Sequence, residues 1–209
     1  MPKHIVKQGE CLGSIAKKNG FFWSTLWDHP QNKALKEKRK SPDILLPGDE
    51  VFIPEKKQKT IEVQSGSRYY FKRKGVPSQI QLRVVVDGEA VANATYTLEV
   101  DGQKSKGRTD DKGKIDVIIQ PDAQKGTITI QGPNGPIEYE LNLGHLDPID
   151  EVSGVQARLQ NLGYDVPAID GNAENTKDTL KTFQRRNALD ETGEIDQPTK
   201  DKLQELYGG

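Results

Sequence analysis

Histidine, cysteine and closely set acids are the side chains from which hydrolytic and metal chemistry is usually built, and this sequence uses them sparingly. Its histidines, His4, His29 and His145, fall in three different stretches, with no HxH, HExxH or HxxxD spacing to bring two of them onto one element. The single cysteine, Cys11, closes no internal disulfide and completes no zinc site. Acid pairs such as Asp150–Glu151 and Asp190–Glu191 sit beside expected helices, where carboxylates suit the dipole and water. Asp110–Asp111 lacks the DxDxDG frame and distant Glu of a calcium loop and reads as a hairpin turn. No glycine-rich loop follows a strand to cradle a phosphate. The expectation is a protein that is not an enzyme, with no cofactor and no metal.

What the sequence does gather is aromatic surface. Phe21, Phe22, Trp23 and Trp27 crowd into one short stretch of a chain that is 6% aromatic overall. Helical spacing puts Trp23, Leu26 and Trp27 on adjoining positions, so the group either closes a core or stands exposed to stack on sugar or on a partner. A basic run follows, with Lys33, Lys36, Lys38, Arg39 and Lys40 against Glu37. It reads either as a solvated helix face or as an electrostatic contact with an acidic partner or wall polymer.

These residues must be positioned by small domains, because 209 residues with a 33% hydrophobic content suit several modest cores better than one large one. The formal net charge is −1, unevenly spread: residues 1–59 hold 12 Lys/Arg against 7 Asp/Glu, and residues 144–209 hold 7 against 13. That basic excess is too small to argue for nucleic acid. No apolar run is long enough to span a membrane, and MPKHIVKQGE lacks the apolar region of a secretory signal. The expected location is therefore the cytoplasm at synthesis.

From His4 to Glu55, "HIVKQGE" alternates into a turn, "CLGSIAKKNG" sets Leu12, Ile15 and Ala16 on one helical face with Asn19-Gly20 as its stop, and "LLPGDEVFIP" turns at Pro47-Gly48 into a second strand. The order is β-α-α-β. The motifs carried by Val6, Gly9, Glu10, Leu12, Ser14, Ile15 and Ala16, then Leu45, Pro47, Gly48, Asp49, Val51, Ile53 and Pro54, resemble the LysM family. That resemblance implies recognition of N-acetylglucosamine glycans, above all peptidoglycan, between the loops Gln8–Gly13 and Ser41–Leu46. The binding residues it implies are Gly9, Glu10, Cys11, Leu12, Asp43, Ile44 and Leu45. The stretch from Phe21 to Asp43 is longer than the second helix of most members, and its Phe21, Phe22, Trp23 and Trp27 form a possible partner patch.

Residues 57–78 read as a polar linker with the strand that leads onward. Over residues 79–144 the period changes to two, with turns at Asp87-Gly88, Asp101-Gly102, Lys112-Gly113 and Asn134-Gly135, the pattern of a small antiparallel β-sandwich. "GRTDDKGKI" resembles a hairpin of transthyretin-like sandwiches.

Residues 145–209 return to helical period. "SGVQARLQNLGY" carries Val155, Leu159 and Leu162, "NTKDTLKTFQRRNAL" carries Leu180 and Phe183, and "IDQPTKDKLQELY" starts at Asp196 and carries Leu203 and Leu206. A three-helix bundle is expected. Its ordered positions, among them Leu159, Gly163, Tyr164, Asp170, Gly171, Thr176, Phe183, Gln184, Gly193, Asp196 and Thr199, resemble the helical peptidoglycan-binding domain appended to many cell-wall hydrolases. The loop this singles out is Asp170, Gly171 and Asn172, within "DGNAENT" where the family commonly has DGxFGxxT.

The whole reads as a multidomain α+β chain: a β-α-α-β LysM-like domain over 1–56, a sandwich over 79–144 and a helical bundle over 145–209. The combination is similar to accessory proteins on the spikes of type VI and related contractile injection systems, a resemblance that implies delivery to the periplasm or a target cell by a secretion apparatus. The function expected first is therefore a non-catalytic adaptor whose partner is a secretion-spike or effector protein. The alternative is a dedicated peptidoglycan-binding protein anchored to the wall.

Overall fold

Antiparallel pairing and short capped helices build the fold in three stretches. The structure, a computed structural model, describes residues 3–56, 60–70, 78–86, 89–132 and 135–207. Parts of the expected linker, 57–59 and 71–77, and the turn residues Asp87, Gly88 and Asn134 lie outside the described residues. The chain is mixed α+β, and its buried apolar side chains fall into three separate clusters that follow chain order. No helix among the described residues is long and apolar enough to cross a membrane.

In the N-terminal stretch, β1 (Lys3–Ile5) pairs antiparallel with β2 (Glu50–Phe52), Lys3 opposite Phe52 and Ile5 opposite Glu50. Between them α1 (Leu12–Asn19) closes at Gly20, whose φ of 69° is the left-handed value that makes glycine the favoured stop. The long segment after it is not one enlarged helix. It breaks into α2 (Trp23–Trp27), a 3-10 turn over Pro30–Asn32 and α3 (Lys33–Arg39). Pro30 explains the break, since it disfavours helical backbone at His29 and suits the first position of a new turn. Asn32, fully buried, fastens the break to the sheet: its Nδ2 donates to Leu26 O at 2.8 Å and Phe52 O at 2.9 Å, and its Oδ1 accepts from Phe52 N at 2.7 Å. Val6, Leu12, Ile15, Leu26, Trp27, Leu35, Leu45 and Val51 fill the core beneath.

The central stretch has a four-stranded antiparallel sheet in the order β10 (Gly135–Asn142), β9 (Lys125–Gly132), β6 (Thr95–Val100), β7 (Gln103–Arg108). Beside it β3 (Ser78–Arg83) pairs with β8 (Lys114–Ile119), and the short β4 (Val85–Val86) with β5 (Glu89–Ala90). Ile80 of β3 and Ile115 of β8 share one core with Tyr96, Leu98, Ile128 and Ile130 of the larger sheet. Asp101 and Gly102, both at positive φ, make the two-residue turn between β6 and β7. Asp110 is spent on its own turn, its Oδ1 accepting from Lys112 N at 2.8 Å and Lys114 N at 2.7 Å.

The C-terminal stretch packs α4 (Val152–Asn161), α5 (Lys177–Arg186) and α6 (Gln197–Tyr207) around Val155, Leu159, Leu180, Phe183 and Leu203. Asp196 caps α6, with Oδ1 accepting from Thr199 N at 2.9 Å.

Candidate functional site

The first candidate site joins two loops. Gly9, at φ 81°, turns the chain from β1 toward α1, and Cys11 caps the helix reciprocally with Ser14: Cys11 Sγ accepts from Ser14 N at 3.4 Å and Ser14 Oγ from Cys11 N at 3.0 Å. Leu12 N donates to Pro42 O at 3.0 Å, so the Gly9–Leu12 loop meets the loop holding Asp43, Ile44 and Leu45. Leu12 and Leu45 point into the core, Ile44 is half-buried and Asp43 is exposed. Of the seven residues, Glu10, Cys11, Asp43 and Ile44 therefore reach the surface, Gly9 is buried, and the two leucines hold the loops in place.

Glu10 is the charged member. His4 Nε2 lies 2.6 Å from its Oε2, which also accepts from Lys7 N at 3.0 Å. Partial burial alone would raise the carboxyl pKa, but the His4 contact, the Lys7 amide and the Lys18 charge outweigh it and hold Glu10 below its ordinary value.

The other loop is tied from below by Asp49. Arg39 Nε and Nη2 approach Asp49 Oδ2 and Oδ1 at 2.6 and 2.9 Å, with both side chains almost fully buried, and Leu46 N donates to the same carboxylate at 2.9 Å. Burial acts to raise Asp49, and these hydrogen bonds, led by Arg39, bring it below the usual carboxylate range. Much of the basic run is thus partnered inside the unit: Lys38 also reaches Asp49 at 3.4 Å, Lys33 pairs with Glu37, and Lys36 pairs with Asp28 at 2.6 Å while lying 5.7 Å from the Trp27 ring centroid.

The aromatic group divides. Trp27 is buried at 6% exposure and Phe21 packs against the same core, whereas Phe22 and Trp23 at the start of α2 are exposed at 43% and 36%. Core closure accounts for Trp27, and an exposed patch remains at Phe22 and Trp23.

The second candidate site is the loop between α4 and α5. Gln156, on α4 and fully buried, holds it from inside: its Oε1 accepts from Asp170 N at 3.1 Å and Gly171 N at 2.9 Å, and its Nε2 donates to Asp170 Oδ1 at 2.9 Å, Asn172 O at 3.2 Å and Thr176 Oγ1 at 2.9 Å. Gly171 takes φ 73°, which favours glycine there. Asp170 is kept below its ordinary pKa by the Asn172 amide first, then by Gln156 and Asn175. Residues 149–203, which contain this loop and all three helices, match the model of the family described as "Putative peptidoglycan binding domain". By family, the C-terminal unit is a peptidoglycan-binding domain. No curated protein and no solved structure matches the chain.

Within the peptidoglycan-binding domain, Gln184 repeats the device of Gln156. Its Oε1 accepts from Gly193 N at 2.8 Å, and its Nε2 donates to Thr192 Oγ1, Glu194 O and Thr199 Oγ1. Gln184 stands out in the sequence through its Phe-Gln pair, whereas Gln156 does not, although Val155-Gln156 opens the same kind of unit. Asn32 and Arg158 do not stand out either, since a lone polar residue on a helical stretch gives no sign that it is buried. Among the described residues no group of three or more His, Cys, Asp or Glu is placed to hold a metal.

Proposed function

We propose that this protein binds bacterial peptidoglycan without cleaving it. The observation that carries the reading is the family match over residues 149–203. In this reading the first unit is a LysM domain that contacts N-acetylglucosamine through Glu10, Cys11, Asp43 and Ile44, a reading supported by both halves of its motif and by the Leu12–Pro42 bond that brings its loops together. A central transthyretin-like sandwich spaces the two modules. Two weak contacts on one polymer then gain from effective concentration, so the full chain holds a sacculus more firmly than either module.

Exposed Phe22 and Trp23 support a second reading, an adaptor that grips a protein on the spike of a type VI or related contractile system. One experiment addresses both. The full chain is incubated with insoluble sacculi and, separately, with an immobilised spike trimer, and the bound fraction of each is measured together with release of soluble muropeptides. Pelleting with sacculi and no muropeptide release is expected. Failure to pellet sinks the wall reading, muropeptide release sinks the non-catalytic one, and spike capture abolished by Phe22→Ala and Trp23→Ala establishes the second.

A further inference from the structure

The Gly9–Leu12 loop is not free at the surface; it is docked on the rest of the chain. Gln124 Nε2, beside β9, donates to Gly9 O at 3.0 Å, and Cys11 Sγ lies 3.7 Å from Pro121 O. Lys17 on α1 reaches Asp122 Oδ1 at 2.5 Å and Gln120 Oε1 at 3.0 Å. Gly144 and Gly9 approach backbone to backbone, so that a Cβ on Gly144 would stand 2.7 Å from Gly9 O, and one on Gly9 would stand 3.2 Å from His145 Nε2. Farther along the same segment, Asp150 Oδ1 accepts from Lys200 Nζ of α6 at 2.9 Å. The segment Gly144–Glu151 thus runs from the Gly9–Leu12 loop to the C-terminal helices. Its far end is fixed to the peptidoglycan-binding domain, where buried Arg158 donates to Asp147 O at 2.8 Å and Ser153 Oγ to Asp147 Oδ2 at 2.6 Å.

We propose that this contact is an autoinhibitory clasp: docking on Pro121–Gln124 and Gly144–His145 masks the glycan face of the first unit, which binds sugar only after swinging away. The masking rests on the LysM reading, while the docking stands on the contacts alone. Its chemistry suits a reversible closure. One exposed ion pair, a few hydrogen bonds and two facing glycines hold the seam, and a recess of about 320 Å³ lined by Glu10, Ser14, Lys17, Lys18, Asp122 and Gln124 opens beside it.

The test uses the full chain and its one thiol, Cys11. Asp122→Lys combined with Gln124→Ala sets like charge against Lys17 and removes the Gly9 bond. Maleimide alkylation of Cys11 is expected to run about tenfold faster in this variant, because reaction follows the opened population. Binding of an N-acetylglucosamine tetramer should tighten by a similar factor, about tenfold, as the competent fraction rises. A second variant shuts the clasp: in a Cys11→Ser background, Gly13→Cys with Pro121→Cys places two Cβ atoms about 3.5 Å apart, within disulfide reach. Oxidised, it should lose tetramer binding and recover it on reduction. Equal alkylation rates in the parent and opened chains would overturn the docking. Faster alkylation with no tetramer binding by the opened chain would overturn the sugar assignment and leave the docking standing. Equal tetramer binding by the oxidised and reduced forms would overturn the masking.

Discussion

Gln156 and Gln184 occupy equivalent places in successive halves of the peptidoglycan-binding domain, each fully buried, each accepting a glycine amide and each donating to a buried threonine at the head of the next helix. A glutamine amide has one acceptor and two donor hydrogens, and here both ends are used, so each side chain locks a loop to a helix start. Gln156→Leu and Gln184→Leu should each cost about 2 to 4 kcal/mol, because each strands several buried polar partners at once. Guanidinium unfolding followed by circular dichroism checks this. The loss should be confined to one of several transitions, since the three cores are separate.

The Arg39–Asp49 pair sets an acid limit on the first unit. Asp49 has a lower pKa folded than unfolded, so its contribution to stability is complete above the unfolded aspartate value of about 4 and is lost as pH falls through the lower folded value. Asp49→Asn should cost about 3 kcal/mol at neutral pH, since it leaves the buried guanidinium uncompensated. Tryptophan fluorescence followed from pH 7 to pH 2 reports the unit through Trp27. The variant should show a weaker dependence on acid than the parent.

Arg158 presents the opposite balance. It is buried, and among the described residues no carboxylate pairs with it and its Nε has no partner: its Nη1 donates to two backbone carbonyls, and the Tyr207 ring centroid lies 5.7 Å from its guanidinium carbon. Burial lowers its pKa from the ordinary value, against smaller opposing effects of Tyr207 and Asp147. The desolvation cost offsets much of what the two hydrogen bonds contribute. Arg158→Met, which keeps the volume, should change stability by about 1 kcal/mol or less, whereas Arg158→Ala should cost about 3 kcal/mol through the void it leaves. Thermal unfolding of the two variants separates these outcomes.

Periodicity was enough to read the strands of the central stretch and the three C-terminal helices, because Leu98, Ile115, Ile128 and Ile130, and Leu159, Leu180, Phe183 and Leu203, repeat with the period of the elements that bury them. The break at Asp28–Pro30 was marked by its proline but hidden by the helical spacing of the residues on either side. Asn32, Gln156 and Arg158 were not legible, since their burial depends on carbonyls and amides supplied from remote parts of the chain. The docking of Gly9 on Gly144 was beyond reach for the same reason: Gly9 has a sufficient local explanation as a turn residue, and only the fold brings the two glycines together.

The division among the aromatics gives a final expectation. Trp27 lies in the core with Leu26 and Val51, while Phe22 and Trp23 face solvent one turn earlier on the same short helix. Trp27→Ala should destabilise the first unit by about 3 to 5 kcal/mol, in the range of large-to-small changes in a packed core. Phe22→Ala and Trp23→Ala remove surface that is already partly hydrated, so each should change stability by about 0.5 kcal/mol or less. If the pair is a ligand surface, the same two variants weaken whichever partner it grips, and the two readings then differ in salt response. Stacking on sugar is carried by apolar contact and should be nearly indifferent to salt between 50 and 500 mM on the order-of-magnitude scale of screening. Capture of an acidic protein beside the basic α3 should fall steeply over that range. Measuring binding of the parent and both variants to sacculi and to the spike trimer at the two salt concentrations tells them apart, and unchanged binding in every arm would remove Phe22 and Trp23 from the functional surface.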